Sequence, residues 1–377
     1  MRRITLGCAI ACLLVSMPVL ASWSNLQIVP TSEYDYGPTT LAFDAESHPC
    51  VFYSGTWNPV PRVTFNDGDA WITRTVDTAG YAEQRAMALD GSGRPHVLYT
   101  DLTDYQHPIL KYAYWDGSAF CRETIGSGYG FLKLDSEGHP HILYSDEATT
   151  GLKYTVFDGS SWVTQTVDSS VAAGAAGLAL DSDDNPHILS YEGSWPDTTA
   201  LKYGRFDGSS WAFEYVAGAD AHFADLVLDA SDNPRVAYRS ASYELMYASK
   251  QSGSWAWELV NSYGGDYSSL ALDPDGNPCI THEAYYTENP TLRVNFARRT
   301  STGWVEDMIG EGSYTSLAFD GEGVAHATYA DFNSPGGLIY ATIPEPGSVL
   351  VLGSGLLGLA GLIRKTRNSK HEARNKS

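Results

Sequence analysis

Leu132-Lys133-Leu134-Asp135-Ser136-Glu137-Gly138-His139-Pro140-His141-Ile142-Leu143-Tyr144 is the stretch from which the fold is read. Apolar residues alternate up to Asp135, a Ser-Glu-Gly-His-Pro turn follows, and an apolar run resumes. That pattern is two short antiparallel strands about a tight turn. It recurs at 41–53 (LAFDAESHPCVFY), 87–99 (MALDGSGRPHVLY), 178–190, 226–238, 270–282 and 317–329. The anchoring aspartates are Asp44, Asp90, Asp135, Asp181, Asp229, Asp273 and Asp320, spaced 44 to 48 residues apart. No helical period appears between them.

A second hairpin lies between the copies, as in LKYAYWDGSAF from 110, LKYTVFDGSSW from 152 and LKYGRFDGSSW from 201. Four short strands in about 46 residues is the period of a propeller blade. The aromatic that opens the fourth strand occurs six times, at Trp71, Phe120, Trp162, Trp211, Trp255 and Trp304. The seventh copy stops at 338–343, and 22–28 (SWSNLQI) supplies the missing strand. The expected fold is therefore all-β: a seven-bladed propeller of four-stranded blades over 22–343. The N-terminal strand completes the last blade, which removes an open sheet edge.

Composition narrows the class. Aromatics are 12%, charged residues only 18%, and there are 36 Gly. A disordered tail, a coiled coil and a collagen are excluded. The net charge is −21; with the terminal segments set aside, 22–346 holds 16 Lys and Arg against 44 Asp and Glu, a net of −28. Nucleic acid is excluded as a partner, because phosphate binding needs cations. Cations, basic proteins or neutral glycans suit such a surface better than anionic polymers. Cys50, Cys121 and Cys279 make no disulfide framework.

The ends read as targeting segments. Arg2-Arg3, an apolar run and Val19-Leu20-Ala21 make 1–21 a secretory signal peptide. At the other end, Pro344-Glu345-Pro346 precedes an apolar stretch, 347–363, and then Arg364, Lys365 and Arg367. The stretch is 17 residues, the short limit for a transmembrane helix. The basic cluster keeps its far end cytoplasmic. In that order, 344–377 resembles the PEP-CTERM sorting signal. The resemblance implies recognition by an exosortase-type processing enzyme in an exopolysaccharide-producing bacterium. It also implies membrane anchoring through the helix, then a cell-surface or matrix location.

Candidate site residues are those that vary between blades. The repeated aspartates fix turns by accepting backbone N–H groups. His96, His141, His187 and His326 share one repeat position, and equivalent positions on different blades lie too far apart for one metal centre. No metal or cofactor is expected. Segments 181–185 and 273–277 have calcium-loop character without the distal Glu. Asp158-Gly-Ser-Ser-Trp162 resembles the Asp-box of sialidase-type propellers, one residue short, but Arg85, Arg239 and Arg293 are too scattered for a sialidase clamp. On the face of the blade connectors, Tyr36, Tyr81, Tyr129, Phe223, Tyr267 and Tyr314 precede the inner strands. They offer rings to sugar faces or plug the channel. Asp101, Asp146, Glu192, Glu283 and Asp331 lie at second-strand exits and would supply a glycosidase pair if the protein were an enzyme. Trp57, Trp195, Tyr105, Tyr285 and Tyr286 lie in loops on the same side. With no familiar catalytic motif, the leading expectation is a non-catalytic module binding glycan or surface protein. The alternative is a carbohydrate-active hydrolase or lyase.

Overall fold

A computed structural model describes residues 23–30, 37–54, 60–78, 82–149, 151–169, 173–193, 200–218, 221–286, 289–332 and 337–342. The signal peptide 1–21, the sorting segment 344–377 and its helix 347–363 lie outside the described residues.

The strands build a β-propeller. Five four-stranded antiparallel blades span 39–75, 82–126, 128–168, 173–217 and 222–261. Their innermost strands are β2 (Thr39–Phe43), β6 (Ala82–Leu89), β10 (Gly128–Leu134), β14 (Ala173–Leu180) and β18 (His222–Leu228). Seven further strands form one sheet. Its order is β1 (Ser24–Pro30), β27 (Gly337–Thr342), β26 (Ala325–Asp331), β25 (Gly303–Phe319), β24 (Asn289–Thr300), β23 (Pro278–Tyr286) and β22 (Gly264–Leu272).

The expectation of seven four-stranded blades with a C-terminal helix is corrected to what the described residues show. Five such blades stand beside one seven-stranded sheet, and the described residues contain no helix. The cause is β25, which runs unbroken for 17 residues. Its first half pairs with β24 up to Glu311 opposite Arg293, and its second half starts on β26 with Gly312 opposite Asp331. The segment 308–313 (MIGEGS), a loop connector by sequence, stays extended and hydrogen-bonded on alternate sides. Gly312 permits the crossing, since a Cβ there would lie 2.0 Å from the Ala330 carbonyl oxygen.

The innermost strands β2, β6, β10, β14, β18, β22 and the second half of β25 pack in succession around the axis. Each is followed by the Asp turn. In all seven turns the Asp Oδ1 accepts two backbone N–H groups, from the residues two and four further on, at 2.7–3.0 Å. The outer Asp-Gly-Ser turns use the same device. Backbone and Ser hydroxyl donors hold the Asp116, Asp158 and Asp207 carboxyls down to about 2.

The other Asp oxygen reaches inward. His141, His187 and His326 place Nε2 3.0–3.4 Å from Oδ2 of Asp135, Asp181 and Asp320. On the other ring nitrogen, His96, His187 and His326 bond Tyr112, Tyr203 and Tyr340 at 2.5–2.6 Å, and His141 bonds Tyr154. An ionised carboxylate only accepts, so Nε2 donates to it and the tyrosine hydroxyl donates to Nδ1. The repeated aspartates and histidines thus tie turn to sheet in four of the seven repeats. Cys50 and Cys279 fill the same position elsewhere, buried and as free thiols.

Adjacent blades lock through rings. Trp162, Trp211, Trp255 and Trp304 meet Tyr112, Tyr154, Tyr203 and Tyr247 edge-on at centroid distances of 5.4–5.8 Å. Trp71 of the first blade meets Tyr340 of the seven-stranded sheet at 5.3 Å and joins the two ends of the series. Each such pair adds about 0.5–1.5 kcal/mol beyond its buried area.

Candidate functional site at the channel mouth

The face opposite the Asp turns gathers the starts of first strands and the ends of second strands. A cavity of about 720 Å³ opens there, walled by Phe131, Ala175, Tyr191, Phe223, Arg239 and Tyr267, among others. Because its walls come from the starts of several innermost strands, it is the mouth of the central channel.

Three of the expected aromatics come together. Phe223, Tyr267 and Tyr314 stand at the same register of β18, β22 and β25, three residues before the repeat's first Leu. Each lies in the left-handed region, at φ 49°, 46° and 58°, where its strand slips register in a bulge. A bulky residue there costs about 1–2 kcal/mol. Neighbouring blades hold the strain: the Ser268 hydroxyl donates to the Phe223 carbonyl at 3.1 Å, and Thr39 donates to that of Tyr314 at 3.3 Å. The bulges swing the rings into an arc, Phe223 to Tyr267 at 4.8 Å and Tyr267 to Tyr314 at 4.5 Å. Strain repeated at one register on three successive inner strands marks a functional region better than one outlier does. Tyr129 lies apart, on β10 opposite Ser145. Tyr36 and Tyr81 fall outside the described residues, as do Trp57 and Trp195.

Polar groups converge at the end of this arc. Arg239 closes β19 (Pro234–Arg239) with its guanidinium 4.9 Å from the Phe223 ring centre and 4.7 Å from that of Tyr243. Its Nη1 donates to Asp266 Oδ1 at 2.5 Å. Asp266 on β22 is the direct cross-strand partner of Glu283 on β23. Glu283 is 5% exposed, and its Oε1 accepts the Tyr314 N–H at 2.8 Å. Burial first, and the Asp266 charge second, push its carboxyl up to about 8. Asp266 and Glu283 line a side cavity of about 250 Å³ with Tyr243, Tyr263 and Tyr285. Those three tyrosines are half or more exposed.

The other expected carboxylates lie apart from this group. Asp101 accepts from Lys111 at 2.7 Å and from the Thr103 N–H and hydroxyl, and Lys111 also reaches Asp77 at 3.2 Å. Asp146 caps its own turn through the Ala148 N–H and the Thr149 hydroxyl. Glu192 pairs with Lys202 at 2.9 Å and accepts from Tyr215 at 2.6 Å. Asp331 ends β26, opposite Gly312 and Gly337. Of the calcium-like segments, Asp181 is occupied by Asn185 and His187, and Asp273 by Asn277. Sequence reasoning missed Asp266 and left Arg239 as an isolated cation. The signal for Asp266 was its place beside Tyr267, where the equivalents are His222 and Ser313.

The chain matches no protein-family model and no curated protein. Solved structures do resemble it. A Dyadobacter fermentans protein of unknown function is 11% identical with a TM-score of 0.53, over 84% of this chain and 97% of that one. The SapL1 lectin in complex with α-methyl fucoside is 15% identical with a TM-score of 0.50, over 73% and 97%. Trypanosoma rangeli sialidase in complex with 2,3-difluorosialic acid is 8% identical with a TM-score of 0.51, over 87% of this chain and 60% of the sialidase. At these identities the likeness is one of fold.

Proposed function

We propose that this chain is an exported glycan-binding propeller that holds a neutral sugar chain at its channel mouth. The observation that carries the reading is the arc of Phe223, Tyr267 and Tyr314, held in strained bulges and ending at Arg239, Asp266 and Glu283. Rings stack on the apolar faces of sugars, while the guanidinium and carboxyls take hydroxyls. Lectin and sialidase propellers among the structural neighbours agree with a glycan ligand. A net of −28 over 22–346 disfavours polyanions, and the one guanidinium of the arc is already neutralised by Asp266.

The cellular setting follows from the chain ends. The signal peptide sends the propeller out of the cytoplasm. The Pro344-Glu345-Pro346 segment hands it to an exosortase-type enzyme while the apolar stretch 347–363 holds it at the membrane. Its place is then the cell surface or an exopolysaccharide matrix, where a protein partner is the alternative to a glycan.

Gel filtration of the purified full-length chain with the producer's own exopolysaccharide tests the binding. Co-elution that Phe223→Ala/Tyr267→Ala abolishes supports the reading. Separate elution of the native protein and polymer sinks it.

A further inference from the structure

Resting on that glycan-binding reading, we propose that the site also cleaves its ligand, with Asp266 as nucleophile and Glu283 as general acid of a retaining glycoside hydrolase acting on neutral polysaccharide. Asp266 and Glu283 are directly opposite on antiparallel strands. Both side chains line one side cavity from these opposed positions, which favours the short carboxyl separation of retaining enzymes over the wider gap of inverting ones.

Their surroundings divide the two roles. The Asp266 side chain is 37% exposed and ion-paired to Arg239, which orients it as a carboxylate. Glu283 is buried and lines the same side cavity. The Tyr314 N–H occupies Oε1 of Glu283, so the acidic proton belongs on Oε2. The charged and titratable groups packed around Glu283 leave that proton in place. The His282 Nδ1 bonds the Glu283 carbonyl oxygen and its Nε2 faces Glu306, so the imidazole does not compete for the carboxyl. Burial and the nearby Tyr314 and Glu283 push the Tyr267 phenol upward, so it stays neutral. An ion-paired, half-exposed carboxylate beside a buried carboxyl is how nucleophile and acid are assigned in one site.

The steps balance. Asp266 attacks the anomeric carbon as the bond to the leaving sugar oxygen breaks, and Glu283 gives that oxygen its proton. Water then attacks the glycosyl ester on Asp266 and passes a proton to Glu283, which frees the Asp266 carboxylate. One water is consumed per bond cleaved, and both groups return to their starting states.

The test uses the full-length chain on an array of neutral and amino-sugar oligosaccharides. The best-bound oligosaccharide is then incubated with it and followed by mass spectrometry and NMR. The expected result is shortening with retained anomeric configuration and a rate that falls above pH about 8. Asp266→Asn and Glu283→Gln are each expected to lower kcat by about 100-fold or more. A bound oligosaccharide of unchanged length overturns the catalytic inference and leaves the binding reading standing. Inverted product overturns the role given to Asp266. Failure of every oligosaccharide to bind removes the binding reading as well.

Discussion

Glu283 carries a proton at neutral pH because burial and the Asp266 charge both oppose its ionisation. Its folded value, raised to about 8, lies above that of an unfolded glutamate, so its contribution is complete below about pH 4.5 and is lost as pH rises through 8. Glu283→Gln keeps an acceptor for the Tyr314 N–H and removes the ionisation. It should therefore raise Tm at pH 9, with a gain of about 5 kcal/mol in stability, and change it little at pH 4; a pH series of thermal melts checks this. Lys111 shows the reverse case. It bridges Asp77 and Asp101, whose side chains are 10% and 8% exposed. Lys111→Met leaves two buried carboxylates facing each other and should cost about 3–5 kcal/mol in urea unfolding. The aromatics and Glu283 were legible as residues that vary between blades. Asp266 was not, because cross-strand partnership depends on two bulges in β22 that no local pattern announces.

At the level of elements, the hairpins and their Asp turns were readable from spacing, since each turn repeats one hydrogen-bond solution. The merging of two sheets through β25 was not. A connector and an extended strand have the same composition when Gly310 and Gly312 replace a polar loop. Gly312→Ala puts a methyl group against the Ala330 carbonyl. It should cost about 1–3 kcal/mol, and hydrogen exchange should show the loss centred on 308–313. The turns also set the acid limit of the fold. Burial, the leading cause, lowers the affinity of His96, His141, His187 and His326 for protons. Their stabilisation is present above the unfolded histidine value of about 6.5 and is lost as pH falls below it. Tm should drop steadily from pH 7 to pH 5, opposite in sign to the Glu283 effect.

For the whole molecule, β1 is the last piece of the seven-stranded sheet, and Val29 is buried against it. Deleting Ser24–Pro30 should expose the edge of β27, with a lower Tm and concentration-dependent association by light scattering. The register of this pairing reaches beyond stability. Ser24 stands opposite Thr342, and Thr342 stands opposite His326, which follows an Asp turn. Both ends of the ring therefore emerge side by side on the side away from the mouth. A bead, a fluorophore or a fused domain attached to either end becomes a handle that leaves the opening clear, and a few residues joining Thr342 to Ser24 would permit circular permutation without redrawing a single strand pair.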